Sequence, residues 1–149
     1  MIVRLFLCCV LAFPLLSSAG EEYKVPESIP IDVDYVDTHR IKNYLLRVIK
    51  RNTESSYPCP RFQMIQPLEE RIVHSVDVCS LNVVGYPAPF DIFNDLAYVG
   101  FDEFKFSETD ITFRADISIR RAPRSFYAIC SIKVGGHQLI KGECVPQLK

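Results

Sequence analysis

Cysteine and histidine are the residues of this chain best suited to chemistry, and their spacing decides which chemistry that is. Beyond the first twenty positions the cysteines are Cys59, Cys79, Cys130 and Cys144. No C-x2-C pair occurs among them and no histidine lies beside one, so the ligand spacing of a zinc site is missing. An even number of cysteines without metal spacing reads as two disulfides. Three pairings are open. Cys59–Cys79 and Cys130–Cys144 are preferred because they close short spans, 21 and 15 residues counted inclusively. Each such bridge stabilises by about 3 kcal/mol through the entropy it removes from the unfolded chain.

The histidines His39, His74 and His137 are dispersed among unrelated neighbours. There is no G-x-S-x-G, no H-E-x-x-H, no phosphate-binding loop and no calcium-loop run. With every thiol expected in a disulfide, no cysteine nucleophile is left. The expectation is a protein that is not an enzyme, with no catalytic residue, no metal and no cofactor.

The remaining chemistry is apolar and cationic. Phe90, Phe93, Tyr98, Phe101, Phe104, Phe106, Phe113 and Phe126 crowd the stretch between positions 90 and 126. Such a cluster either fills a core or lines a cavity for a lipid-like ligand, since ligand cavities are mostly apolar. The candidate lining is Tyr44, Leu45, Val48, Tyr98, Phe101, Phe104, Phe113 and Phe126. Two basic groups stand out: Arg40, Lys42, Arg47, Lys50 and Arg51, then Arg120, Arg121 and Arg124. Both suit solvated surface, and the first also suits contact with anionic lipid.

The elements that must position these residues follow from hydrophobic periodicity. Ile41, Tyr44, Leu45, Val48 and Ile49 recur at i, i+3, i+4, i+7 and i+8, behind Asp37 or Thr38 as a helix cap. That spacing predicts one amphipathic helix ending near Asn52. Leu68 to Val84 reads as strand. Leu96 to Phe106 reads as strand with a change of face near Gly100, which a bulge or bend at that glycine would explain. Ile111, Phe113, Ala115, Ile117 and Ile119 alternate with Thr112, Arg114, Asp116, Ser118 and Arg120, the pattern of a half-buried antiparallel strand. Phe126 to Val134 alternates likewise, and Gly135-Gly136 turns the chain back. The expected fold class is α+β: an N-terminal amphipathic helix packed against a curved antiparallel sheet, with Ile111, Phe113, Ile117 and Ile119 facing Tyr44, Leu45, Val48 and Ile49.

Length and composition place this in one domain. The chain has 149 residues, 48% hydrophobic and 23% charged, which is a globular composition. Seventeen basic against eighteen acidic residues leave a net charge of -1, so no broad positive field argues for nucleic acid. Arg4, the apolar run Leu5 to Leu16, and Ser17-Ser18-Ala19-Gly20 have the layout of a secretory signal peptide. The run is shorter than the roughly 20 apolar residues of a membrane span. The expected organisation is a signal peptide over residues 1–20 and a secreted, disulfide-containing domain over 21–149, with no transmembrane anchor.

The stretch DIFNDLAYVGFDEFKFSETDITFRADISIRRAPRSFYAICSIKV, Asp91 to Val134, resembles the early sheet of the juvenile-hormone-binding and takeout proteins and the group 7 mite allergens. The segment VDTHRIKNYLLRVIKR resembles their preceding helix. The resemblance implies a long helix wrapped in a curved sheet and a secreted, non-enzymatic carrier of an apolar or lipid-like ligand, of which this chain spans about half. Ile132 to Gly136, IKVGG, resembles the Q-x-V-x-G hairpin of cystatins without its glutamine. That likeness implies a secreted protease inhibitor as the alternative function, beside a protein-interaction module.

Overall fold

A computed structural model describes residues 32–122 and 124–147. The signal peptide expected over residues 1–20 lies outside the described residues, as do Pro26 and Pro30, which mark residues 21–35 as an expected extended lead-in. The described chain is built of strands. β1 (Val33–Ile41), β2 (Tyr44–Arg51), β3 (Arg61–Gln66) and β4 (Arg71–Asp77) make one antiparallel sheet in chain order. β5 (Ser80–Leu81) and β6 (Phe90–Asp91) pair as a short ribbon. β7 (Leu96–Phe106), β8 (Asp110–Ile119), β9 (Ser125–Gly135) and β10 (Gln138–Gln147) form a second antiparallel sheet, again in chain order.

The α+β expectation is corrected. The segment expected as a helix is the β1–β2 hairpin, turning at Lys42 and Asn43 with Ile41 paired to Tyr44. The helical turn found among the described residues is a 3-10 turn at Pro67–Glu69. The misreading has a physical cause. Leu46 and Val48 are buried on the inner face of β2, while Leu45 and Ile49 lie on its outer face, opposite Ile65 and Arg61 of β3. A strand apolar on both faces satisfies a 3.6-residue period by accident. The β-branched and aromatic content of YLLRVI, and neighbours on both sides, decide for strand. Asp37 and Thr38, expected as a helix cap, lie in the middle of β1. The long helix wrapped in a curved sheet, implied by the resemblance to the juvenile-hormone-binding and takeout proteins, falls with the same observation.

The alternation of the second half holds. Ile111, Phe113, Ala115 and Ile117 of β8 are buried, and Arg114 and Asp116 stand on the other face. Their partner is the first sheet rather than a helix: the rings of Phe62 on β3 and Phe113 on β8 lie 5.3 Å apart. The face of β7 changes through register shifts against β8 between Leu96 and Tyr98 and between Asp102 and Lys105, not at Gly100. Glu103, in the second shift, has φ 51°. These irregularities turn Val99, Phe101, Phe104 and Phe106 toward the interior in spite of their uneven spacing.

The two sheets stack in matched order. Tyr35 of β1 stacks on Phe104 of β7, and His39 on Phe106, with centroids 5.7 and 5.4 Å apart. At the other flank the Leu139 N–H of β10 donates to His74 Nδ1 of β4 at 3.2 Å. Near the turns, Tyr44 OH lies 2.5 Å from His137 Nδ1. The apolar residues of both sheets form one continuous core, as aligned sheet packing requires. Both expected disulfides are present. Cys130–Cys144 joins directly paired residues of β9 and β10, and Cys59–Cys79 ties the chain just before β3 to the chain just after β4.

Candidate functional site

Of the eight residues expected to line a ligand cavity, Val48, Phe101, Phe104 and Phe113 come together and Tyr44, Leu45, Tyr98 and Phe126 do not join them. Phe101 and Phe113 are buried ring to ring, 5.9 Å apart, and Phe104 lies 5.8 Å from Phe113. Phe62, which lies in a short alternating run of β3, joins them at 5.3 Å from Phe113 and 6.1 Å from Phe104. Val48 is buried in the same core. Tyr44 is drawn to the turn histidine His137. Leu45 lies on the outer face of the first sheet, and Tyr98 is 52% exposed. Phe126 stacks on Tyr86 at 5.8 Å, toward the opposite flank from Tyr35 and Phe104. Where rings do meet, they fill the space between the sheets with one another.

The sandwich has two unlike ends. The tight turns at Lys42–Asn43, Pro67–Glu70, Ser107–Thr109 and Gly136–His137 share one end, where Lys42 Nζ reaches Glu108 at 3.7 Å. Longer connections gather at the other: residues 52–60, residues 82–95 and the turn after β8. Loops carried on a rigid sandwich are where recognition residues concentrate.

Phe93 is the most distinctive feature of that loop end. It is 40% exposed, yet its backbone is held from several sides. Asp91 Oδ1 accepts the N–H groups of Phe93 and Asn94, each at 2.9 Å. Asp95 Oδ2 accepts the Asp91 N–H at 2.8 Å. Ile92 N–H donates to the Cys79 carbonyl at 3.0 Å, which ties the loop to a disulfide cysteine. Arg120 Nη2 donates to the carbonyls of Phe93 and Leu96, both at 3.2 Å. The Phe93 ring lies 6.0 Å from Tyr57 of the β2–β3 connection. Arg120, which reaches the Phe93 carbonyl, is followed in the turn after β8 by Arg121 and Arg124, and all three are exposed. No ion pair joins Arg121 or Arg124 to an acid among the described residues. The sequence sets Phe93 in an aromatic cluster that either fills a core or lines a cavity, and these arginines on solvated surface. The D-x-x-N-D run, Asp91 to Asp95, is the local signal of the turn that turns Phe93 outward.

Tyr57 is itself anchored electrostatically. Arg61 Nε and Nη2 donate to the two Asp77 carboxylate oxygens at 2.7 and 2.8 Å, and Tyr57 OH donates to the same carboxylate at 2.9 Å. Arg61 holds the Asp77 carboxyl below its ordinary range, against the opposing effect of burial, and Tyr57 adds to the lowering. The bond to Asp77, with burial, raises the Tyr57 phenol. Arg51, beside Asp32, likewise holds that carboxyl down. A depressed acid contributes stability above its unfolded pKa and loses it as pH falls through the folded value. Thermal unfolding of Asp77→Asn should therefore show a shallower fall in Tm below about pH 4 than the parent protein, with Asp32 supplying the remainder. Equal acid limbs in the two proteins would contradict the role given to the Arg61–Asp77 pair.

Neither a protein-family model, nor a curated protein, nor a solved structure matches this chain.

Proposed function

We propose that the protein acts in an oxidising, extracellular setting as a non-enzymatic protein-recognition module whose loop end docks on an acidic partner surface. The observation that carries this reading is Phe93, an exposed aromatic side chain on a backbone already fixed by Asp91, Asp95, Cys79 and Arg120. Binding hot spots are enriched in aromatic and Arg residues, and an anchor ordered in advance loses little entropy on docking. The adjacent Arg121 and Arg124 supply the charge that selects an acidic partner. The setting is supported by the two disulfides, which persist where thiols are oxidised. No described helix is long and apolar enough to cross a membrane.

Cross-linking of the secreted protein to its partners in extracellular fluid, followed by mapping, tests this reading. Cross-links should concentrate at residues 52–60, 91–98 and 120–124. Phe93→Ala should weaken capture roughly 30-fold, the scale of a hot-spot loss. Arg121→Glu should weaken it further at low salt than at high salt. Leu68→Ser, at the tight-turn end, should leave capture unchanged. Capture indifferent to Phe93→Ala, or cross-links gathered at the tight-turn end, would overturn the proposal.

A further inference from the structure

Four strands bound the two sheets, and three of their edges are guarded. The outer edge of β10 is occupied: Cys144 N–H donates to the Asn82 carbonyl at 2.8 Å and Val84 N–H to the Cys144 carbonyl at 2.9 Å. β4 lies beside β10 and reaches it through His74. β7 is broken by two register shifts and carries Asp102 and Glu103 at the second, both devices that discourage edge pairing. β1 differs. Its one register shift against β2 lies near its start, between Val33 and Tyr35, and the pairing then runs unbroken from Tyr35 to Ile41; among the described residues no strand pairs with its outer edge.

The outward backbone groups of β1 follow from its hairpin. The pair Ile41–Tyr44 closes a two-residue turn, so the backbone of Ile41, His39 and Asp37 faces β2. That of Arg40, Thr38 and Val36 faces away, by the alternation of antiparallel ladders. The Thr38 N–H agrees with this direction: it donates to Asp37 Oδ1 at 2.8 Å instead of to β2.

The polar groups along this edge are ordered about Thr38. The carboxylates of Asp34 and Asp37 precede it; the imidazole of His39 and the cations Arg40 and Lys42 follow. We propose that β1 is a self-docking edge: two copies of the chain pair their β1 strands antiparallel about Thr38. Two four-stranded sheets then become one of eight strands. In that register the outward groups of Thr38 meet those of the second copy's Thr38, and Val36 lies opposite Arg40. Asp37 lies opposite His39, and at the ends of the seam Asp34, in the register shift of β1, lies nearest Lys42 of the turn, so an acid meets a base or an imidazole at two positions on each side of Thr38. A parallel arrangement puts like charge on like; a slip of two residues one way sets Asp37 against the second copy's Asp37, and the other way sets Asp37 against Ile41 and Asp34 against Tyr44. Opposite-charge and Thr–Thr cross-strand pairs are favourable and like-charge pairs unfavourable. Asp34 and Lys42 keep enough exposure for new partners, since their present contacts with Lys50 and Glu108 are 3.9 and 3.7 Å long. Docking moves the Asp37 carboxylate off the Thr38 N–H, which the second copy's Thr38 carbonyl then accepts.

Light scattering and disulfide trapping of the full secreted chain test the proposal. The parent protein should be a dimer. Hydrogen-bonded antiparallel partners have Cα atoms about 5.5 Å apart, inside the disulfide range of about 4.4–6.8 Å. Thr38→Cys should therefore form a covalent dimer with oxidised glutathione, and Val36→Cys, whose two copies stand apart, should not. Asp34→Lys should weaken the dimer roughly 30-fold by opposing Lys42 with a like charge at both ends of the seam. Asp34→Lys combined with Lys42→Asp should restore it. A monomeric parent protein, trapping through Val36→Cys as readily as Thr38→Cys, or failure of the double reversal to restore the dimer would overturn the proposal. So would a dimer that appears only after residues 21–31 are removed, because the chain would then be covering its own edge.

Discussion

Replacing Phe113 by alanine should cost about 3–5 kcal/mol of folding free energy. The side chain is 1% exposed and meets rings from both sheets: Phe62 of β3 on one side, Phe101 and Phe104 of β7 on the other. Its removal takes away the transfer free energy of a benzyl group and leaves a hole that three interlocked rings cannot readily close. Small domains are stable by about 5–15 kcal/mol in total, so the variant should lose a large share of its stability. Urea unfolding should show a lower midpoint at nearly unchanged slope. Tyr98→Ala, on the exposed face of β7, should shift the midpoint far less. A loss below about 1 kcal/mol for Phe113→Ala would mean that space beside the ring was already open, as in a ligand cavity.

The second large effect is expected at Cys59–Cys79. This bridge extends the β3–β4 hairpin beyond its ladder. Arg61 pairs with Asp77, Val78 N–H donates to the Pro60 carbonyl at 3.0 Å, and the disulfide follows as the next link. Cys59 is buried in the core, and the Cys79 carbonyl holds the Phe93 loop through Ile92. Cys59→Ala with Cys79→Ala should cost about 2–5 kcal/mol, as removal of a native disulfide does in small domains. Amide exchange should quicken at Ile92, Phe93 and Asn94 before it quickens in β8. The equivalent change at Cys130 and Cys144 should spare the Phe93 loop, because that bridge lies within the paired β9–β10 hairpin. A loss under about 1 kcal/mol, or unchanged exchange at residues 91–95, would contradict the anchoring role.

What could be seen in the sequence divides along physical lines. β8 was legible because charge punctuates it: burying Arg114 or Asp116 to accommodate a shifted register costs several kcal/mol, so one face is unambiguous. The disulfides were legible because loop length limits the sensible pairings. The β1–β2 hairpin was not, because Leu45 and Ile49 are apolar on an outward face, and Arg47 and Arg51, the polar residues of that face, fall equally well on the polar side of a helix. β7 was half legible, since its two register shifts displace the apolar positions of a single strand. The loop end was hidden because Phe93 and Phe113 are the same residue type. Only the hydrogen bonds of Asp91 and Asp95 separate an exposed anchor from a core ring. His74 and His137 carried no local signal, for their partners Leu139 and Tyr44 lie 65 and 93 residues away in the chain.

Whether the space between the sheets is filled by the protein's own aromatic rings decides between surface recognition and ligand carriage. Native mass spectrometry of the protein produced in eukaryotic cells with both disulfides formed answers this directly. Each copy should have the mass of its polypeptide less the four hydrogens lost to two disulfides, with no apolar molecule retained through purification. A stoichiometric lipid that leaves only on unfolding would contradict a core closed by Phe62, Phe101, Phe104 and Phe113.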